Sequence, residues 1–180
     1  MTGDFNGDGR TDVATRSLGT PRFLQRSANG AVRASTNYGV ASDVPLTGDW
    51  DGNGTSDLGV YRASSHLFCL RRPDARTTSF PLGTAGDRPV SGDWNGDGRS
   101  DVGVFSRSTG YWTLRVPRGS SYALKRIAYG QSTDVPITGD WNGDGVTDLG
   151  VWRPSTAQYL MRAPRRGGFV NQVVVYGNWR

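Results

Sequence analysis

Apolar and polar residues alternate with a period of two in several short stretches of the chain. Leu58 and Val60 fall on one side of an extended segment and Tyr61 on the other, and residues 102–105 and 149–152 repeat this order. A period of two is that of a β-strand, whereas a helix repeats about every 3.6 residues. Clusters of Gly, Asn and Asp separate these stretches and are typical of tight turns. The pattern therefore predicts short β-strands joined by turns, without long helices.

One ten-residue segment recurs four times without gaps. Its copies are residues 3–12, 48–57, 92–101 and 139–148, and their first aspartates lie 45, 44 and 47 residues apart, at Asp4, Asp49, Asp93 and Asp140. Around the second copy, the alternation predicts four strands, at residues 44–49, 57–62, 67–72 and 77–82. A repeat of about 45 residues with four strands is typical of a propeller blade.

The repeat predicts an all-β protein. We expect residues 1–180 to form a single β-propeller domain of four antiparallel four-stranded blades, at approximately residues 1–39, 40–83, 84–130 and 131–180. A blade exposes apolar faces unless it stacks against another. An aromatic residue follows the first aspartate of every copy, and we expect it to pack in the core: Phe5, Trp50, Trp94 and Trp141. An aromatic residue or leucine followed by glycine closes each repeat, the last time at Tyr176-Gly177.

The charged residues are restricted in type. All 16 acidic residues are aspartate, and the 21 basic residues are 20 arginines and Lys125, for a net charge of +5 and a pI near 9.8. A basic pI favours an anionic partner such as nucleic acid. However, 12 aspartates lie in the four repeated segments and no nucleic-acid-binding motif is present, so nucleic-acid binding is not expected.

Two further features of the composition narrow the classes of protein. Cys69 is the only cysteine, which excludes an intrachain disulfide and a multi-cysteine metal site. The mean hydropathy is −0.53 and no apolar run is long enough to span a bilayer, so membrane insertion is not expected. The chain begins inside the first repeat without a leader sequence, so we expect a mature chain or a segment of one.

The four repeated segments have the composition of metal-binding loops. Counted from the first aspartate, each has side-chain oxygens at positions 1, 3, 5 and 9, three of them carboxylates, and glycine at positions 4 and 6. Oxygen ligands in this number suit Ca²⁺, with the backbone carbonyl of position 7 and water completing the set, whereas Mg²⁺ requires a stricter octahedron. Zn²⁺ is disfavoured because the loops contain no His or Cys. An ion-free Asn-Gly or Asp-Gly hairpin is the alternative, but it does not require four oxygens at fixed spacing in every copy.

We therefore expect about four Ca²⁺ ions, one in each loop. The predicted ligands at positions 1, 3, 5, 7 and 9 are Asp4, Asn6, Asp8, Arg10 and Asp12; Asp49, Asp51, Asn53, Thr55 and Asp57; Asp93, Asn95, Asp97, Arg99 and Asp101; and Asp140, Asn142, Asp144, Val146 and Asp148.

The motif G-D-[WF]-[ND]-G-[DN]-G-x-[ST]-D, followed in three copies by Leu/Val-Gly-Val, resembles the FG-GAP/VCBS repeats of integrin α-subunit propellers and bacterial secreted proteins. The resemblance covers essentially the whole chain. It implies that each loop is a calcium-binding β-hairpin between the innermost and second strands of a blade. The first copy departs from the pattern at residues 14–17, Ala-Thr-Arg-Ser, so its second strand is expected to pack less well.

The resemblance also bears on assembly, because such propellers usually have seven or eight blades. Four blades are compatible with a closed four-bladed ring, a fragment of a larger ring, or a half-ring that pairs. We favour the last arrangement, a homodimer that completes an eight-bladed ring and covers the apolar faces of the end blades.

Other repeated residues have a structural and a functional interpretation. Asp43, Asp87 and Asp134 precede the loops by six residues, and we expect them to cap turns or to pair with arginine. Arg26, Arg71, Arg115 and Arg162 also recur, and bonds within each blade are favoured over a basic track. A polar rim beside Tyr61, Phe105 and Trp152 is a weaker candidate for binding sugars or peptides.

The inventory of reactive side chains argues against an enzyme. His66 is the only histidine, there is no glutamate, and nearly all aspartates belong to the repeats. We therefore expect a secreted, extracellular, calcium-stabilised binding or adhesion module that recognises carbohydrate or protein. The alternative is a non-catalytic structural or accessory domain of a larger secreted enzyme.

Overall fold

Sixteen β-strands build the part of the chain that the structure describes. The structure is a computed structural model, which describes residues 1–17, 19–27, 29–165 and 168–175. Within these ranges there is no helix, and hence none long and apolar enough to cross a membrane. Tyr176-Gly177, which the sequence marks as the end of the fourth repeat, lies outside the described residues.

The strands form four antiparallel sheets of four, each in consecutive chain order. We call the sheets blades one to four. Blade one contains β1 (Thr2–Gly3), β2 (Asp12–Arg16), β3 (Arg22–Arg26) and β4 (Val32–Asn37). Blade two contains β5 (Val44–Gly48), β6 (Asp57–Arg62), β7 (Leu67–Arg71) and β8 (Thr77–Pro81). Blade three contains β9 (Arg88–Gly92), β10 (Asp101–Phe105), β11 (Tyr111–Arg118) and β12 (Ser121–Ala128). Blade four contains β13 (Val135–Gly139), β14 (Asp148–Arg153), β15 (Gln158–Arg165) and β16 (Gly168–Val175).

The predicted fold class, an all-β protein of four antiparallel four-stranded propeller blades, is confirmed. In blade two, every predicted strand matches the observed one to within one residue at each end. Closure of a ring within the chain, or between two copies of it, stays a prediction.

Contacts divide the chain into two compact units. The first is Met1–Ala85 with Gly98–Ser100, which holds blades one and two; the second is Gly86–Asp97 with Asp101–Arg180, which holds blades three and four. In the first unit, Phe23 of blade one packs with Leu58 and Val60 of blade two. The second unit has a larger core in which aromatic and aliphatic side chains of its two blades meet: Val90, Trp94, Phe105, Trp112, Leu114, Val116, Leu149 and Val151. Each unit thus buries apolar faces that a single blade would expose.

The second strand of a blade lies between two others and is the most buried. Every residue from Asp57 to Tyr61 in β6 is buried, and so is every residue of β10. The two sets of alternating residues therefore lie on two faces of the strand that are both buried, and neither face is exposed to solvent. Gly59 lies in the middle of β6, where a Cβ atom would come within 3.0 Å of the Trp50 ring.

Blade one differs from this pattern, as its sequence predicts. Its second strand, β2, alternates between buried and exposed residues, and Val13 is 48% exposed. Arg16 occupies the place that Tyr61 has in blade two, and its guanidinium donates hydrogen bonds to the backbone carbonyls of Val40 and Asp43. A polar anchor here replaces the aromatic packing of the other blades.

Candidate metal centres in the blade loops

Each repeated segment forms the hairpin that joins the first two strands of its blade. In blade two, Asp49 follows the last residue of β5 and Asp57 is the first residue of β6, so positions 1 and 9 flank the loop. Gly52 and Gly54, at positions 4 and 6, have φ angles of 78° and 83°. Residues with a side chain rarely adopt this conformation, which explains why both positions are glycine in all four copies.

The position-1 aspartate organises the loop by accepting backbone hydrogen bonds. Asp49 Oδ1 accepts the N–H groups of Gly52 at 2.7 Å and Asn53 at 3.1 Å, and Asp49 Oδ2 accepts that of Gly54 at 2.7 Å. The equivalent bonds form at Asp4 and Asp140. At Asp140 the N–H group of Gly145, together with those of positions 4 and 5, lowers the pKa of the carboxyl below its ordinary value. The hydrogen bonds thus turn the carboxylates of position 1 toward the inside of the loop.

The side chains of positions 3 and 5 are hydrogen-bonded to each other in most of the loops. In three loops the amide of the position-3 asparagine donates to the position-5 aspartate: Asn6 to Asp8 at 2.9 Å, Asn95 to Asp97 at 3.0 Å, and Asn142 to Asp144 at 2.9 Å. Blade two reverses the two residue types, with Asp51 at position 3 and Asn53 at position 5.

This reversal brings three carboxylates together in blade two. Oxygen atoms of Asp49, Asp51 and Asp57 all lie within 4.8 Å of one another, an arrangement that can hold a metal ion. In the other three loops the third carboxylate is at position 5, and positions 1, 5 and 9 do not meet within this distance among the described residues. The structure thus gathers the predicted carboxylates most tightly in the second loop.

The position-9 aspartates are buried, which is rare for a carboxylate without a cation. Asp12, Asp57, Asp101 and Asp148 are 1%, 7%, 6% and 3% exposed. The last three accept the backbone N–H of the tryptophan at position 2, at 3.3, 3.3 and 3.0 Å. Both carboxylate oxygens of Asp12 and Oδ1 of Asp148 are buried without any hydrogen-bond partner.

Burial also changes the proton affinity of these groups. Burial, added to the negative charges of Asp51 and Asp49, raises the pKa of Asp57 to about 6. Burial and the charges of Asp97 and Asp93 raise the pKa of Asp101 to about 7. In both loops burial therefore makes the ionised carboxylate less favourable than in an exposed aspartate, and a bound cation would favour it.

Sequence analysis missed the role of position 8, which is Thr or Ser in every copy. The Ser100 N–H donates to the Asp49 carbonyl at 2.7 Å, and Ser100 Oγ accepts the Asp49 N–H at 3.0 Å. Thr147 makes the same two bonds with Asp93, at 2.7 and 2.9 Å. Position 8 of one loop therefore fixes the backbone of the first predicted ligand in the preceding loop. The invariant hydroxyl was the signal for this contact.

Two of the three recurrent aspartates before the loops, Asp43 and Asp134, cap turns and pair with arginine, as expected. Asp134 is fully buried, and its carboxylate receives the Arg153 guanidinium in two bonds of 3.0 and 2.9 Å. Asp134 Oδ2 also accepts the Gln131 N–H at 2.9 Å. Asp43 and Arg62 form the same arrangement in blade two.

The aromatic residues proposed to flank a polar rim occupy different environments. Tyr61 and Phe105 are 1% and 0% exposed, and the Tyr61 hydroxyl donates to the Leu82 carbonyl at 3.3 Å. Burial leaves these two rings no surface for a sugar or peptide, so the expectation that they line a ligand site is corrected. Trp152 is partly buried and packs against Tyr159, with 4.6 Å between the ring centroids and 39° between the ring planes.

Comparison of the sequence with known proteins finds no matching family model and no matching curated protein.

Proposed function

We propose that each of the four loops binds one Ca²⁺ ion and that the protein is a calcium-stabilised, extracellular β-propeller module for binding or adhesion. The observation that carries the calcium proposal is the set of buried position-9 carboxylates, two of which have oxygens without any partner. An ionised carboxylate in such a place is costly unless it is paired. A divalent cation in the loop would supply the missing charge.

The residues present fit a hard cation. Side-chain oxygens at positions 1, 3, 5 and 9, with the position-7 carbonyl, supply up to five oxygen ligands, and water completes the roughly 6–8 that Ca²⁺ takes. Positions 1 and 9 are held in place by the loop backbone and the second strand, whereas positions 3 and 5 bond to one another and can turn inward. The flexible coordination of Ca²⁺ tolerates this arrangement better than the octahedron of Mg²⁺.

Luminescence of Tb³⁺, a calcium substitute, tests the loops directly. Trp50, Trp94 and Trp141 each follow the first predicted ligand, so excitation of tryptophan should sensitise Tb³⁺ in loops two to four. We expect Ca²⁺ to displace the signal with a dissociation constant of about 10⁻⁴ to 10⁻³ M, as is usual for extracellular modules. Mg²⁺ at equal concentration should displace far less.

The matched variants are Asp148→Asn, inside the fourth loop, and Asp74→Asn, an exposed aspartate outside all loops. Asp148→Asn should remove about one third of the sensitised signal, because three loops carry tryptophan, and Asp74→Asn should leave it unchanged. Absence of sensitised luminescence, together with a melting temperature that EGTA does not lower, would refute calcium binding.

Recognition of carbohydrate or protein is the broader part of the proposal. It is supported by the absence of a plausible catalytic set in the sequence and by the calcium loops themselves, since weak calcium sites suit millimolar extracellular calcium. The second candidate is a structural or accessory domain of a larger secreted enzyme. Specific binding on an array of glycans and extracellular matrix proteins, abolished by EGTA, favours recognition; uniform absence of binding favours the accessory role.

A further inference from the structure

Blades three and four carry longer outer hairpins than blades one and two. Strands β11, β12, β15 and β16 have eight residues each, whereas β3, β4, β7 and β8 have five or six. The extra residues extend each hairpin at the end that bears its recurrent arginine. Both long hairpins belong to the second unit.

A cleft of about 550 Å³ lies between the faces of these two blades. Its apolar walls are Trp94, Leu114 and Ile127 of blade three and Leu149 and Phe169 of blade four. Clefts of roughly 300–1,000 Å³ with mostly apolar walls are typical of small-molecule sites. The bottom of the cleft is formed by side chains buried in the core of the second unit: Trp94, Leu114 and Leu149. Phe169 is 58% exposed and lies at the entrance, so the cleft is open to solvent there.

Strand register places one cation on each wall. Lys125 is the cross-strand partner of Leu114, so the two side chains share a face of blade three. Arg162 is the partner of Leu149 in blade four. Since Leu114 and Leu149 belong to one core, the two faces meet, and both Lys125 and Arg162 line the cleft.

The two cations are not neutralised by acidic side chains. Lys125, the only lysine of the chain, is exposed and forms no ion pair within the described residues. The guanidinium of Arg162 lies over the ring of Phe169, 3.8 Å from its centroid, which holds it at the wall. Asp148 is the single acidic residue of the lining. Arg126 adds no charge to the cleft face, because it alternates with Lys125 along β12 and its guanidinium lies over the Tyr111 ring, 4.7 Å from its centroid. The lining therefore carries a net positive charge.

We propose that this cleft binds a small organic anion, with a carboxylate, sulfate or sulfonate group on an aromatic or aliphatic body. The anionic group lies between Lys125 and Arg162, and the apolar body packs against Phe169, Ile127 and Leu114. Opposite charges in a partly dry cleft attract more strongly than on an open surface. Blade two keeps a counterpart of Arg162 in Arg71, the partner of Leu58, but has none for Lys125, because the partner of Leu70 there is Thr78.

Two fluorescent probes that differ in charge test this site. 1-Anilinonaphthalene-8-sulfonate carries the anion, and N-phenyl-1-naphthylamine has the same aromatic body without it. Both are titrated against the full chain in calcium buffer and against three variants: Lys125→Met, Phe169→Ala, and Arg33→Met as control. Arg33 is exposed and lies in β4 of blade one. Circular dichroism and melting temperature verify that each variant is folded.

The expected pattern separates the two parts of the site. Lys125→Met weakens binding of the sulfonate by about fivefold, as loss of one partly exposed charge pair predicts, and leaves the neutral probe within twofold. Phe169→Ala weakens both probes, and Arg33→Met weakens neither. The inference is overturned if Lys125→Met leaves sulfonate affinity unchanged or weakens both probes equally. It is also overturned if Phe169→Ala weakens neither probe, or if Arg33→Met weakens the sulfonate as much as Lys125→Met.

Discussion

Replacing Arg153 by methionine should destabilise the protein far more than replacing an arginine in an exposed ion pair. The Arg153 side chain is 20% exposed, and its partner Asp134 is fully buried. Methionine keeps most of the aliphatic stem of arginine, so the change removes the charge and its two hydrogen bonds while preserving packing. The Asp134 carboxylate would then remain buried with the Gln131 N–H as its described donor.

The size of the effect follows from the burial of the two partners. Breaking a fully buried ion pair costs about 3–5 kcal/mol, because an uncompensated charge is left behind. Water reaches the partly exposed Arg153 site, so we expect about 2–4 kcal/mol in the free energy of unfolding. The same reasoning applies to Arg62→Met, whose partner Asp43 has a fully buried side chain.

Urea unfolding followed by circular dichroism measures this loss, and the chain offers a matched control. Arg76 and Asp74 form an ion pair of 3.4 Å, but their side chains are 84% and 52% exposed. Arg76→Met should therefore change the free energy of unfolding by less than about 0.5 kcal/mol. In the double variant Asp134→Asn/Arg153→Met, removal of the unpaired charge should restore part of the lost stability. If Arg153→Met costs no more than Arg76→Met, the account of a buried, required pair is refuted.

Two further predictions concern the loops. Trp94→Phe should lower the free energy of unfolding in urea by about 1 kcal/mol more than Trp141→Phe. The Trp94 indole donates to the Val102 carbonyl at 3.2 Å, whereas the Trp141 indole N–H is buried without a partner. Equal losses for the two variants would contradict this prediction. In EGTA, the free energy of unfolding should be greatest near pH 4 and should fall as the pH rises through 6 and 7. Folded Asp57 and Asp101 have pKa values of about 6 and 7, against an ordinary 3.8, so over this range they hold protons that the unfolded chain has released. Saturating Ca²⁺ should oppose this loss by favouring the ionised carboxylates. Melting temperatures at pH 4.5, 6 and 7.5, in EGTA and in Ca²⁺, measure the loss and its reversal. Stability that rises with pH in EGTA would refute the raised pKa values.

The strands and loops could be predicted from sequence because their causes are local. A period of two identifies β6 and β7, and glycine at positions 4 and 6 of every loop marks a backbone conformation that other residues avoid. Each local signal is weak, but the same signals recur in four copies at nearly the same spacing. Chance patterns would not recur in this way, so the repetition predicts the blade architecture.

The features that sequence reasoning missed depend on contacts between distant residues. The alternation around Tyr61 and Phe105 does not reveal that both faces of their strands are covered, because covering comes from other parts of the fold. The bonds of Ser100 with Asp49 join residues 51 positions apart. The cleft beside Lys125 likewise depends on the register of two hairpins, which residue spacing alone does not set.

The loops are an integral part of the blades, because their predicted metal ligands belong to the same contact network as the core. Asp57 begins strand β6, whose first five residues are buried. It accepts the backbone N–H of Trp50, whose indole donates to the Leu58 carbonyl at 3.1 Å. A cation that holds Asp57 would therefore also fix Trp50 and the start of the strand. In the second unit, Thr147 joins loop four to the backbone of Asp93 in loop three. On the calcium proposal, occupation of one loop should thus order the first predicted ligand of the other, and ion binding and blade packing should stabilise each other.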